Sequence, residues 1–139
     1  MVNSKMGKQT KLIHVEGNVF SGTGEGAKFA GLPWVKSQIK DKLGFIPHPG
    51  TLNIRLTEKY MGFRKLLEKG KPIEIVPKSG YCHGKCFKAY IMDCLEGAIV
   101  IPEVEGYPEN VLEVIAPINL RERLKLKDGD KVEITIVFE

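Results

Sequence analysis

Short apolar runs rich in Ile and Val recur along this chain, and Pro, Gly and acidic residues separate them. Runs of about four to eight such residues between turn-forming residues are typical of β-strands. In the last run, apolar and polar residues alternate from Val132 to Phe138, which is the period of a strand with one buried face. The pattern predicts six or seven strands, at residues 11–20, 51–56, 73–76, 86–92, 98–101, 111–115 and 131–138.

Two segments early in the chain have helical periodicity instead. Apolar residues recur at helical spacing over residues 32–43, where Pro33 suits the first turn and Gly44 suits a C-terminal cap. A second helix is predicted over residues 58–69, and one short helical turn over Leu120–Leu124. We therefore expect a mainly β fold with a few short helices, as a single small closed β-barrel rather than a doubly wound parallel sheet.

Length and composition limit the class of protein further. At 139 residues, with 42% hydrophobic and 27% charged residues, the chain fits one globular domain, so we expect a flexible tail at 1–10 and one domain at 11–139. Gly17 within the first strand predicts a bulge or a bend. No apolar run approaches the roughly 20 residues that span a bilayer, and the basic first eight residues are followed by no apolar core, so we expect no secretory signal. Three Cys residues suggest reduced thiols, so we expect a cytoplasmic protein without membrane contact.

A glycine-rich loop follows the first strand. In Gly22-Thr23-Gly24-Glu25-Gly26 three glycines alternate with other residues, so backbone N–H groups can approach a ligand such as a phosphate closely. The spacing fits neither a P-loop nor a dinucleotide fingerprint. Taken alone, the loop is better explained as a flexible turn between a strand and a helix.

Thr51 and Asn53 lie two residues apart on a predicted strand, so they face the same side. A hydroxyl and an amide oxygen suit a hard cation such as Mg²⁺, which retains waters and takes phosphate oxygens at its other positions. The alternative is that both side chains bond the neighbouring backbone at the turn.

Glu113 is a carboxylate within the apolar run Val111–Ile115. It either points outward to water or faces a barrel mouth, where it could accept a proton or bind hydroxyl groups. Arg121, a few residues later, could bind phosphate or pair with nearby acids.

A group of Cys and His residues invites a zinc hypothesis. Cys82 and His83 are adjacent, however, and the spacing of a zinc finger or ribbon is absent. Cys86 and Cys94 are assigned to a predicted strand, where Cys behaves as a small buried hydrophobe. We therefore favour packing over metal binding for these residues.

Taken together, the motifs resemble one family, the archaeal CTP-dependent riboflavin kinases. The similarity extends from about Ile13 to Phe138, and the order and spacing of its segments make it specific. The matching segments are GNVFSGTGEG at 17–26, LPWV at 32–35, LGF at 43–45, PGTLN at 49–53, YP at 107–108, LEVIAP at 112–117, LR at 120–121 and DGD at 128–130.

This resemblance implies a cradle-loop β-barrel that transfers the γ-phosphate of CTP to the ribityl 5′-hydroxyl of riboflavin, giving FMN and CDP. It implies that Thr51 and Asn53 hold Mg²⁺. Glu113 would contact the ribityl chain and is our candidate for orienting or deprotonating the attacking hydroxyl. The nucleotide site implied by the resemblance consists of Gly22, Thr23, Gly24, Glu25, Gly26, Ala27, Ile118, Asn119, Leu120 and Arg121.

One position departs from the family pattern. Family members often have Thr two residues before the position of Tyr107, where it contacts the flavin product, and this chain has Glu105. The resemblance still implies a flavin contact for Glu105, although a carboxylate would repel a flavin phosphate.

Two other function classes stay open. A small basic β-barrel can act as a non-catalytic nucleic-acid-binding regulator, and the net charge of +4 permits this. No helix-turn-helix pattern and no alternation of basic with aromatic residues supports it, however. A barrel that binds flavin or nucleotide without turnover is the third class. We expect a monomer with riboflavin and CTP as its partners.

Overall fold

The computed structural model describes residues 10–22, 28, 30–60, 62–76, 84–103 and 105–138. Within these residues the chain forms seven strands, three short helices and one 3₁₀ turn at Glu58–Tyr60. The strands are β1 (Lys11–Phe20), β2 (Leu52–Leu56), β3 (Ile73–Ile75), β4 (Gly84–Ile91), β5 (Leu95–Pro102), β6 (Val111–Ile115) and β7 (Lys131–Phe138). The helices are α1 (Pro33–Leu43), α2 (Phe63–Leu67) and α3 (Leu120–Leu124).

Six of the strands close into an antiparallel barrel. Their order is β4-β5-β6-β2-β1-β7, and β7 pairs back onto β4 from Ala89↔Ile136 to Ile91↔Ile134. β3 lies outside this ring and pairs with the first residues of β4. The predicted fold, mainly β with a few short helices and a closed barrel, is confirmed.

Two apolar clusters lie on opposite faces of the barrel wall. The inner cluster includes Val19, Ile54 and Ile134, with Phe63 of α2 and Leu120 of α3 packed against them. The outer cluster forms where α1 covers one side of the wall, and its members include Val35, Ile39, Ala98, Val100 and Ile115. β5 is therefore buried on both faces, which explains why its sequence reads as a continuous apolar run rather than an alternating one.

The ends of α1 match the sequence prediction. Pro33 is its first residue, and Gly44 follows it with a left-handed φ of 86° and donates its N–H to the carbonyl of Lys40. Side chains of the same helix bind the free edge of β3: the Gln38 amide pairs with both backbone groups of Val76, and Lys42 donates to the Glu74 carbonyl. No described helix is long and apolar enough to cross a membrane.

The single helix predicted over residues 58–69 is wrong. The 3₁₀ turn at Glu58–Tyr60 and α2 replace it, and Gly62 occupies the position just before α2. Glycine inside a helix costs about 1 kcal/mol relative to alanine, so a break at this residue is favoured.

Gly17 marks a close approach of strands and not a bulge. The pairing of β1 with β7 is unbroken from Lys11↔Phe138 to Asn18↔Lys131, so the predicted bulge is wrong. Gly17 also pairs with Leu56 of β2, and a Cβ there would lie 2.4 Å from the carbonyl oxygen of Arg55. The absence of a side chain therefore lets two neighbouring strands approach each other.

We expect Gly17→Ala to destabilise the protein by about 2–3 kcal/mol, because backbone atoms of β2 cannot move aside at low cost. The matched control is Gly62→Ala, where no atom lies within 4 Å of an added Cβ. The measurement is the free energy of unfolding in urea, and equal values for the two variants would contradict this account of Gly17.

Candidate functional site

A buried carboxylate, Glu113, lies at the centre of the polar residues on the barrel wall. Only 5% of it is exposed. Its neighbours on β6, Leu112 and Val114, belong to the inner cluster, so Glu113 projects from the outer face of the wall. The predicted alternative in which Glu113 extends outward into water is therefore wrong.

Three side chains donate hydrogen bonds to this carboxylate. The Thr51 hydroxyl donates to Oε1 over 3.2 Å, and the Tyr107 hydroxyl donates to Oε2 over 2.5 Å. Asn53 lies directly opposite Glu113 across the β2–β6 pair, and its amide nitrogen donates to Oε1 over 3.2 Å. The buried charge is thus compensated by hydrogen bonds and not by a cation.

The Asn53 amide also contacts the start of the glycine-rich loop. When the amide is oriented so that its nitrogen and its oxygen both have hydrogen-bond partners, the oxygen accepts from the Gly22 N–H over 3.2 Å. A Cβ at Gly22 would lie 2.6 Å from the terminal atom of the Asn53 amide that faces the loop, which is the oxygen in this orientation, and 2.9 Å from its Cγ. Glycine at this position therefore allows the backbone to reach the amide. The other predicted loop residues, Thr23, Gly24, Glu25, Gly26 and Ala27, lie outside the described residues.

The first cavity at this site has a volume of about 180 Å³. Thr51 forms part of its wall, together with the predicted segment Ile118, Asn119, Leu120 and Arg121. The Asn119 side chain caps α3 by accepting from the Glu122 N–H over 3.2 Å, so this segment is anchored by the helix. The structure thus brings the predicted nucleotide segment next to a predicted magnesium ligand.

Arg121 is held beside the point where the glycine-rich loop leaves β1. Its guanidinium donates to Asp128 Oδ1 over 2.8 Å and to the Phe20 carbonyl over 3.3 Å. Ser21 donates to the other oxygen of Asp128 over 2.9 Å. Hydrogen bonds from Arg121 and Ser21 hold the pKa of Asp128 below its usual value. Asp128 was given no role from sequence, although it is in a Gly-containing turn seven residues after Arg121.

The second cavity, of about 260 Å³, lies on the other side of Glu113. Tyr107 lines this cavity and donates a hydrogen bond to the Glu113 carboxylate. The rest of its wall includes apolar residues and charged residues of both signs, among them Leu67, Phe87, Ile101, Pro102, Arg64, Lys85, Glu68 and Glu103. Glu105 is exposed and lies two residues before Tyr107. Sequence reasoning had not identified Tyr107 or Arg64, and the Tyr-Pro pair at 107–108 was the available signal.

The oxygen donors at Glu113 fit a magnesium ion. Thr51 Oγ1 and the Asn53 amide oxygen each keep a lone pair in addition to the hydrogen bonds described. Mg²⁺ is usually bound by few protein ligands, with waters and phosphate oxygens completing its shell, and the first cavity adjoins Thr51.

The two described cysteines, Cys86 and Cys94, lie in different environments. Cys86 is fully buried, as predicted, and burial raises its pKa to about 12. Cys94 is exposed in the turn between β4 and β5, so its predicted strand position is wrong, because the hairpin turns at residues 92–94. Cys82 and His83 lie outside the described residues. Among the described residues, no group of three or more His, Cys, Asp or Glu could hold a metal ion.

We expect Gly22→Ala to displace the Asn53 side chain without unfolding the barrel, because the added Cβ meets a side chain and not the backbone. In ¹⁵N correlation spectra the Asn53 amide signals should shift, while the melting temperature changes by only a few degrees. Unchanged Asn53 signals would contradict the contact between Gly22 and Asn53.

Comparison with known proteins agrees with this geometry. Residues 19–136 match the family model CTP-dep_RFKase, described as a domain of unknown function, DUF120. Riboflavin kinase of Archaeoglobus fulgidus is 46% identical over 130 residues, covering 91% of this chain and 55% of the relative. Those of Pyrobaculum aerophilum and Methanosarcina barkeri are 45% and 38% identical, covering 91% and 90% of this chain and 61% and 57% of the relatives. The chain thus spans little more than half the length of these curated relatives, and it belongs to the CTP-dependent riboflavin kinase family.

Proposed function

We propose that this chain is a riboflavin kinase that transfers the γ-phosphate of CTP to the ribityl 5′-hydroxyl of riboflavin, giving FMN and CDP. One observation carries the proposal: Glu113 is hydrogen-bonded to a residue of each cavity, Thr51 of the first and Tyr107 of the second. A phosphoryl donor and an acceptor that occupied the two cavities would therefore meet at one carboxylate.

The first cavity suits the nucleotide. Arg121 carries a positive charge at its wall, and its bond to Asp128 occupies one side of a guanidinium that has five N–H donors. We assign the phosphates to this cavity and to the backbone of Gly22 and of residues 23–27, whose glycines permit close approach. CTP as the donor rests on the name of the family and not on a contact in this chain.

The second cavity suits the flavin. Phe87, Ile101 and Tyr107 give it an apolar and aromatic wall, which favours a planar ring system. The ribityl chain would extend from there toward Glu113. Glu105 is exposed and lies two residues before Tyr107 in the same segment, and we assign it to the rim of the flavin site.

The chemistry needs positioning and neutralisation of charge, and no covalent intermediate. Magnesium, when bound, neutralises phosphate charge, and Thr51 and Asn53 would hold it. Glu113 orients the 5′-hydroxyl and accepts its proton as the oxygen attacks the γ-phosphorus and the bond to the β–γ bridging oxygen breaks. CDP then leaves with that oxygen.

We further propose that this chain is a monomer in the cytoplasm. Two observations support this. Cys86 and Cys94 are both free thiols, which favours a reducing compartment. The exposed edge of β3 is occupied by side chains of α1, so it offers few free backbone groups to another sheet.

The test is a product assay with the purified chain, riboflavin and Mg²⁺, using CTP, ATP, GTP or UTP in separate reactions. FMN formed with CTP alone, and lost when EDTA removes the metal, is the expected result. FMN formed mainly with ATP would support the proposed kinase activity and refute CTP as the phosphate donor. Absence of FMN with every donor would refute the kinase, and binding of riboflavin or of duplex DNA would then identify the alternative.

Two variants test the assigned roles. Asn53→Ala should remove most turnover at limiting Mg²⁺ and recover part of it at high Mg²⁺, because it loosens the metal.

Glu113→Gln should lower kcat by about a hundredfold with little change in the KM for CTP, since the loss of a proton acceptor acts on the chemical step. The matched control is Glu133→Gln, on the exposed side of β7. Near-normal turnover of Asn53→Ala at limiting Mg²⁺, or an unchanged kcat for Glu113→Gln, would refute the corresponding role.

A further inference from the structure

The two oxygens of Glu113 have different partners. Oε1 accepts from Thr51 and Asn53, on the side of the first cavity. Oε2 accepts from the Tyr107 hydroxyl, on the side of the second cavity. A carboxylate on two rotatable bonds beyond Cβ would otherwise sample several orientations, and these contacts select one of them.

Tyr107 is itself held firmly in place. The guanidinium carbon of Arg64 lies 5.0 Å from the centre of its ring, which is a cation–π distance. Arg64 also donates over 3.0 Å to the carbonyl of Val111, which is on the same strand as Glu113 and two residues before it. The ring is therefore fixed relative to the strand that carries the carboxylate.

The Tyr107 hydroxyl is a permanent donor in this arrangement. Burial raises its pKa, the hydrogen bond and the charge of Glu113 raise it further, and Arg64 lowers it by less. The phenol thus stays protonated at neutral pH, so its hydrogen remains directed at Oε2. A donor that stays protonated at neutral pH is suited to orienting a carboxylate.

We propose that Tyr107 is a positioning residue for phosphoryl transfer: by holding Oε2 of Glu113, it keeps Oε1 directed at the place where the acceptor hydroxyl meets the donor phosphate. The inference rests on the proposed function, and it assigns a role to a side chain that need not touch the reacting atoms. Arg64 supports this role from behind the ring.

The test variant is Tyr107→Phe, which removes the hydroxyl and leaves the ring against Arg64 and the cavity. We expect kcat to fall about tenfold, because a hydrogen bond to a charged group is lost, while the KM values for CTP and riboflavin change by less than about twofold. An unchanged kcat, or a loss seen only in KM, would overturn the proposal.

The chain contains a matched control. The Tyr60 hydroxyl donates to Glu16 Oε1 over 3.2 Å, a second tyrosine–glutamate pair that lines neither of the two cavities at Glu113. Tyr60→Phe makes the same chemical change and should leave kcat and both KM values unaltered. An equal fall in kcat would indicate a general effect on the fold and would overturn the role given to Tyr107.

A double-mutant cycle shows whether Tyr107 acts through Glu113. If it does, Tyr107→Phe should have little further effect on kcat once Glu113→Gln is present, because the group it orients is already changed. Losses that multiply would mean that Tyr107 acts by another route, and the proposal would be wrong.

A measurement without turnover separates this inference from the proposed function. In ¹⁵N correlation spectra the side-chain amide signals of Asn53 should shift in Tyr107→Phe and not in Tyr60→Phe, since Asn53 donates to the same carboxylate. Unchanged signals would overturn the positioning role even if the wild-type chain forms FMN. If the wild-type chain forms none, the kinase proposal fails, and the Asn53 signals alone decide whether Tyr107 orients Glu113.

Discussion

The pairing of Asn53 with Glu113 across β2 and β6 is the constraint on which the site depends. Side chains alternate between the two faces of a strand, so a shift of one residue in this register would turn Glu113 into the apolar inner cluster and bring Leu112 to the outer face. Closure of the barrel through β4 and β7 opposes such a shift, because it would have to be accommodated around the whole ring.

Burial of Glu113 has a cost that its neighbours offset. A carboxylate removed from water without partners is strongly unfavourable, and here three uncharged donors surround it in place of a cation. Arg64 contacts the Tyr107 ring, and none of the ion pairs among the described residues involves Glu113. The carboxylate is therefore held in one orientation by uncharged donors.

The sequence predicted most of the fold because its signals were local. Strand periodicity, Pro33 and Gly44 identified β7 and α1 closely, whereas the helix over residues 58–69 failed because Gly62 interrupts it. The resemblance identified Thr51, Asn53 and Glu113, but strand periodicity could not say which face of the closed wall they occupy. The roles of Tyr107 and Asp128 could not be predicted for a related reason. Each role depends on contacts with other side chains that only the folded structure shows, and no local sequence pattern records such contacts.

On β2 and β6 the inner cluster and the polar site residues Asn53 and Glu113 use opposite faces of the same strands. On β2 and β6, Leu52, Ile54, Leu112 and Val114 pack inward, while Asn53 and Glu113 project outward. A substitution of Asn53 or Glu113 therefore removes no side chain from the inner cluster, so the polar chemistry at these two positions can change while that cluster is kept. In evolutionary terms the barrel is a scaffold on which acceptor or donor specificity could change by a few substitutions without a new fold.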